Sequence, residues 1–199
     1  MHAAALPGRR ARLTLLALLA LFLVPLVAAW LLHTAAPQWR PQGTVNQGTL
    51  ITPPRPLPAA PLAAVDGSRV DEDVLRGRWT LLLFSESPCN RDCQALLLQL
   101  RQVHAALNKD IPRVQRLLVL VGPRAGAPPR GDPDLLLGRL RDRGWLDHFA
   151  LGAGDQPAAS GRVYLVDPLG NLMMFYPADG PVRGILKDLQ RLLRISRVG

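Results

Sequence analysis

The stretch GRWTLLLFSESPCNRDCQALLLQL, residues 77–100, decides how the rest of the chain is read. Trp79 to Phe84 is an unbroken apolar run bounded by polar residues, the pattern of a strand covered on both faces. SESPC follows as a turn. From Arg91 to Asn108 the residues Leu96, Leu97, Leu100, Val103, Ala106 and Leu107 recur at spacings of three and four, which predicts a helix with one apolar face. A buried strand that turns directly into an amphipathic helix is the opening unit of an alternating α/β domain.

Downstream, Val114 to Val121 (VQRLLVLV) reads as a second buried strand, and Gly122 to Pro133 as a loop punctuated by proline and glycine. Asp134 to Arg143 is predicted to be a short helix, capped by Asp132 or Asp134 and stopped by Gly144. Val163 to Val166, DPLGN and Leu172 to Tyr176 predict a β-hairpin. Ile185 to Ile195 closes the chain as a helix with one apolar stripe. Upstream, Leu62 to Val70 predicts a short hairpin around Asp66-Gly67, and Asp71 to Leu75 a helical turn. Strands alternating with helices in this order point to a three-layer α/β sandwich around a mixed sheet, the thioredoxin-like arrangement.

The N-terminus sets the compartment. Leu13 to Leu32 (LTLLALLALFLVPLVAAWLL) carries no charge and matches a helix spanning about 30 Å of hydrocarbon. Arg9, Arg10 and Arg12 precede it, so the positive-inside rule places residues 1–12 in the cytoplasm and the remainder across the membrane, the expected compartment being a bacterial periplasm. The run exceeds a signal-peptide core of about 7–15 residues, which favours an uncleaved anchor. A cleaved signal is the alternative, because small residues recur at Ala28, Ala29, Ala35 and Ala36. Residues 33–61, with PPRPLPAAP at 53–61, read as a proline-rich stalk, or as an extended arm packed along the domain. Residues 62–199 are then the thioredoxin-like domain.

The chain of 199 residues has a formal net charge of +9, and arginine supplies nearly all its positive charge, since Lys109 and Lys187 are the only lysines. Along the sequence the arginines are scattered, and aromatics make up only 5%, which argues against a nucleic-acid partner. Two cysteines exclude a disulfide-framework miniprotein and a four-cysteine zinc module.

Those two, Cys89 and Cys93, carry the only chemistry that stands out. A pair four apart on a helix lies on one face, about 6 Å apart at Cα and inside the disulfide window. A helix N-terminus favours the thiolate, the form that attacks disulfides and binds soft metals. The bland alternative is a structural disulfide, but a bridge closing so short a loop stabilises less than one closing a long loop.

The run at 77–100, VYLVDPLGNLMMFYP at 163–177 and the single N-terminal span together resemble the Sco-type copper chaperones of cytochrome c oxidase assembly, over about residues 62–195. The resemblance implies that Cys89 and Cys93 bind copper, reduce oxidised client cysteines, or both, with an oxidase subunit or other assembly factors as partners. On this reading Cys89 is expected to be the more exposed thiol, attacking or binding first, with Cys93 resolving or co-ligating. The resemblance also departs in three places. The family's copper histidine, five residues before the hairpin tyrosine, falls on Ala159; the proline after the first cysteine is Asn90; and the acidic loop has become GPRAGAPPRGDPD, residues 122–134.

Substitute ligands are His148, His104, Met173 and Met174, each read first as a surface or core residue. A peroxiredoxin would need threonine where Glu86 stands. A general thioredoxin-like reductase would need CxxC and a proline in Ser160 to Arg162. The remaining readings are a non-catalytic oxidase-assembly scaffold that kept the fold and lost the metal, and a generic exported thiol–disulfide oxidoreductase.

Overall fold

A computed structural model describes residues 8–35, 46–65, 70–86, 88–89, 91–122 and 131–196. The chain forms two compact units, Met1–Thr44 and Val45–Gly199. In the first, α1 runs from Arg9 to Ala35 with Pro25 inside it. It is long and apolar enough to cross a membrane by length and composition. The hydroxyl of Thr14 donates to the Arg10 carbonyl at 3.0 Å, so this polar side chain is satisfied within the helix.

The second unit is built on a seven-stranded sheet in the order β1-β7-β6-β3-β4-β5-β2. Its strands are β1 (Thr49–Pro56), β2 (Leu62–Ala64), β3 (Trp79–Ser85), β4 (Val114–Val121), β5 (Leu135–Leu140), β6 (Val163–Val166) and β7 (Asn171–Tyr176). Strands β3, β4 and β5 are parallel, while β6 runs antiparallel beside β3 and β7 antiparallel beside β6. Every residue of β3 and β4 is buried, as their continuous apolar runs require of strands covered on both faces.

Helices α2 (Arg91–Ala105) and α3 (Val182–Ile195) cover one face, where Leu100, Val103 and Leu107 meet Ile185, Leu189 and Leu193 over Leu81, Val163 and Leu165. At about 1.5–3 kcal/mol for each fully buried side chain, the three α3 residues account for much of that helix's attachment. The opposite face is closed by a 3-10 helix, Arg143–Phe149. Its Trp145 and Phe149 pack edge-on against Phe84 at centroid distances of 6.1 and 4.9 Å. This is the three-layer thioredoxin-like sandwich.

Two expectations are corrected. Residues 134–143 do not form a helix: Leu135–Leu140 is β5, hydrogen-bonded to β4 on one side and to β2 on the other. Two neighbouring strands outweigh the local helical pattern, and Gly138 suits the closely packed site because a Cβ there would lie 2.9 Å from Leu62. Asp132 consequently caps no helix; its carboxylate accepts from the Asp134 backbone N–H. Its carboxylate pairs with Arg116, whose side chain is 1% exposed, and this guanidinium holds the Asp132 carboxyl below the usual carboxylate range.

The second correction concerns the stalk, where the alternative reading, an arm packed along the domain, holds from residue 46 onward. Residues 46–61 belong to the folded unit, with β1 as an edge strand on β7. Prolines lack an N–H, but an edge strand needs hydrogen bonds on one side only. Pairing holds at Thr49, Leu50, Arg55 and Pro56, and the register shifts across the prolines between them.

The buried Asp188 of α3 fastens the start of this segment. Its carboxylate accepts from the backbone N–H of Gln47 and of Gly48, each at 2.9 Å, and from the Tyr176 hydroxyl at 3.2 Å. Burial, then the Asp188 charge, pushes the Tyr176 phenol well above its ordinary value. The hairpin expected around Asp66-Gly67 falls on residues 66–69, outside the described residues; Leu62–Ala64 pairs with β5 instead.

Candidate functional site

β3 ends at Ser85 and α2 begins at Arg91, so the intervening turn sits at the carboxyl end of the parallel strands. β3 has a parallel neighbour on one side and antiparallel β6 on the other. The carboxyl ends of such strands are where open α/β sheets bind their ligands. A cavity of about 950 Å3 lies there, walled in part by Glu86, Cys93, Gly122, Arg143, Ala159 and Ser160.

Cys89 and Cys93 are joined by a disulfide with Cα atoms 5.2 Å apart. Both residues are half-buried against the apolar patch of Leu83, Leu97, Leu118 and Leu120. Cys93 is the third residue of α2 and forms part of the cavity wall. The Cys89 carbonyl accepts from the Gln94 side chain at 2.9 Å, which ties the turn to the first turn of the helix. The pair is therefore close enough to bond, is open to the cavity through Cys93, and is placed where the helix dipole stabilises a thiolate on reduction.

The far wall is the loop before β6. Ala159 donates its N–H to the Gln156 carbonyl at 3.1 Å and the Ser160 hydroxyl donates to the Pro157 carbonyl at 2.8 Å, so the loop is a turn bonded to itself. Asp155 braces it from behind by accepting from Arg162 at 2.7 Å and from the Leu151 N–H at 2.9 Å. Burial raises the Asp155 carboxyl, and the hydrogen bonds from Leu151 and Arg162 outweigh that, leaving it below the usual range. Gly161, at φ 63°, needs its missing side chain: a Cβ would lie 3.1 Å from that of Ala178.

Ala159, where the resemblance puts a copper ligand, thus faces the cavity that Cys93 lines, and it brings a methyl group there. The other candidate donors are elsewhere. His104 is buried in α2, and its ring nitrogen lies 2.9 Å from the Val114 carbonyl oxygen. Met174 is in the core under α3, and Met173 packs at its margin. His148 is exposed on the 3-10 helix and is not part of the cavity wall. Among the described residues no three His, Cys, Asp or Glu side chains group to hold a metal ion. Two thiolates, once reduced, remain as soft donors suited to Cu(I).

The sequence reading missed the partnership of Glu86 with Arg143, whose guanidinium binds the Glu86 carboxylate at the cavity rim. The two are far apart in the chain and Arg143 had been placed at a helix end, so no local pattern joins them.

The fold and the disulfide together define a thioredoxin-like domain with a CxxxC site. Residues 79–196 match the transmembrane-like, thioredoxin-like C-terminal domain family, and the chain belongs to it. Comparison with curated proteins gives no match. Among solved structures, apo Sco1 from Thermus thermophilus is similar at 24% identity and a TM-score of 0.58, over 75% of this chain and 99% of that one. Yeast Sco1 with copper bound is similar at 16% identity and a TM-score of 0.58, over 73% and 96%. A SCO1/SenC family lipoprotein from Bacillus anthracis is similar at 16% identity and a TM-score of 0.55, over 72% and 99%. The domain has the Sco-type thioredoxin fold; at these identities the likeness is one of fold.

Proposed function

We propose that this chain is a membrane-anchored, exported, Sco-related factor for cytochrome c oxidase assembly that works through thiol–disulfide exchange at Cys89 and Cys93. The observation that carries this reading is the half-buried disulfide at the cavity, with Ala159 where a third copper ligand would stand. In the reduced state the Cys89 thiolate attacks a client disulfide, forming a mixed disulfide and releasing one client thiolate. Cys93 then attacks Cys89, closing the bond described here and releasing the second client thiolate. Two electrons pass to the client, whose thiolates take up protons from solvent, and an exported dithiol reductant must return the pair to its reduced form. Copper is cargo in this reading: Cu(I) bound by two thiolates is held less firmly than by a set completed with imidazole, which suits a transient carrier better than a store.

The test pairs a redox titration with a Cu(I) titration of the full chain. Exchange with a glutathione buffer, and trapping of a client by Cys93→Ser through Cys89, support the proposal. A pair that stays oxidised under strong reductant overturns it and leaves a structural bridge. Trapping by Cys89→Ser instead reverses the assigned order. The scaffold reading is favoured by Ala159 and predicts that the double Cys→Ser variant still supports oxidase assembly.

A further inference from the structure

The arginines that look scattered in the sequence are gathered by α3. Arg183, Lys187, Arg191 and Arg194, with Gln190 between them, are all exposed and, at 100° per residue, fall within an arc of about 80–100°. Opposite them Ile185, Leu189 and Leu193 enter the core. The helix contains one acid, Asp188, and that is buried and occupied by Gln47, Gly48 and Tyr176. Cations three and four residues apart repel one another, and the side chains between them on this face add no negative charge. A stripe of that kind is complementary to a surface of negative charge.

The place where the chain joins the folded unit says which surface. Gln47 lies across the first turn of α3: a Cβ on Gly184 would come within 2.6 Å of the Gln47 Cβ. Only residues 36–45 separate this region from the apolar segment that ends at Ala35. Fully extended, such a connection reaches on the order of 35–40 Å. A surface bound to that segment is therefore presented to α3 at high effective concentration, and weak charge attraction suffices to hold it.

We propose that the basic face of α3 docks on anionic phospholipid headgroups of the bilayer in which α1 is anchored. The inference rests on the membrane-anchored reading above. A nucleic acid is the competing polyanion, but nothing on this face offers aromatic rings for bases to stack on.

The experiment uses the two lysines, one on the stripe and one off it. The full chain is placed in nanodiscs of neutral phosphatidylcholine, or of phosphatidylcholine with a third phosphatidylglycerol, and amine acylation of Lys187 and Lys109 is followed by mass spectrometry. Docking predicts that Lys187 reacts about threefold or more slowly in the anionic discs while Lys109, in the 3-10 helix Asn108–Arg113, keeps its rate. Molar salt should remove the difference. Arg183→Glu with Arg194→Glu should remove it too, and the salt series on the unaltered chain stands whether or not that variant folds. Equal Lys187 rates in the two discs overturn the proposal, as does stronger protection by a single-stranded oligonucleotide than by the anionic discs. Failure of the chain to co-purify with neutral discs would instead defeat the anchored reading.

Discussion

Reducing the Cys89–Cys93 bond should leave the domain folded and lower its stability by about 2 kcal/mol. The bond closes a loop with a sequence separation of 4. In the chain-entropy relation, a loop of about 4–5 residues removes roughly 6–7 cal/mol/K from the unfolded state, which is about 2 kcal/mol at 25 °C. The thiolate formed beside the N-terminus of α2 regains about 0.3–1 kcal/mol, so the net loss lies toward the lower side of 2. For a unit of this size that is a fall in Tm of roughly 4–8 °C at most. By linkage, folding lowers the potential of the bond by about 40 mV or less relative to the same bond in the unfolded chain. Urea unfolding of the oxidised and reduced protein, with a glutathione redox titration alongside, measures both. A loss above about 4 kcal/mol, or collapse of the near-ultraviolet circular dichroism on reduction, would show that the bridge staples the fold and would refute the redox assignment. No change at all would refute the loop-closure reasoning.

Asp132→Ala should destabilise the domain by about 3–5 kcal/mol, read by urea unfolding, because it strands the buried Arg116 guanidinium. Adding Arg116→Met should recover most of that loss. The carboxyls of Asp132 and Asp155 are both held below their ordinary values, so their contribution is complete above the unfolded-state value near 4 and is lost as pH falls through the lower folded-state values. Stability followed by circular dichroism should therefore drop as pH falls below about 4, less steeply in the Asp132→Ala variant. Gly48→Ala should cost about 1–3 kcal/mol by differential scanning calorimetry, since its Cβ would lie 2.5 Å from the Tyr176 ring and 2.6 Å from the Met174 sulfur. Ala159→His should tighten Cu(I) binding by the reduced chain about tenfold or more in competition with a chromogenic chelator, and an unchanged affinity would mean that residue 159 does not reach the thiolates.

Local chemistry made much of the fold legible. β3, β4, the hairpin of β6 and β7, and the two amphipathic helices follow from apolar runs and from the three-and-four spacing, because each buries its face in the way its own sequence dictates. β5 was not legible: Leu135–Leu140 is a strand because β4 and β2 offer partners on both sides, and a segment carries no mark of neighbours contributed from elsewhere in the chain. The same holds for β1, whose prolines argued against a sheet until β7 supplied the one edge they required.

For the site, the strand–turn–helix placement of Cys89 and Cys93 was written into residues 77–100 by itself, since both thiols sit on one short segment whose geometry is local. What faces them was settled only in three dimensions. Ala159, from the loop before β6, and Arg143, from the 3-10 helix, come to the same cavity wall, and the basic residues that the spacing of α3 aligns face solvent because the opposite side of that helix is buried. Covalent neighbours and periodicity fix what a segment tends to be; which charges and which cavity wall it meets depends on long-range packing, where the free energy is shared among residues far apart in sequence.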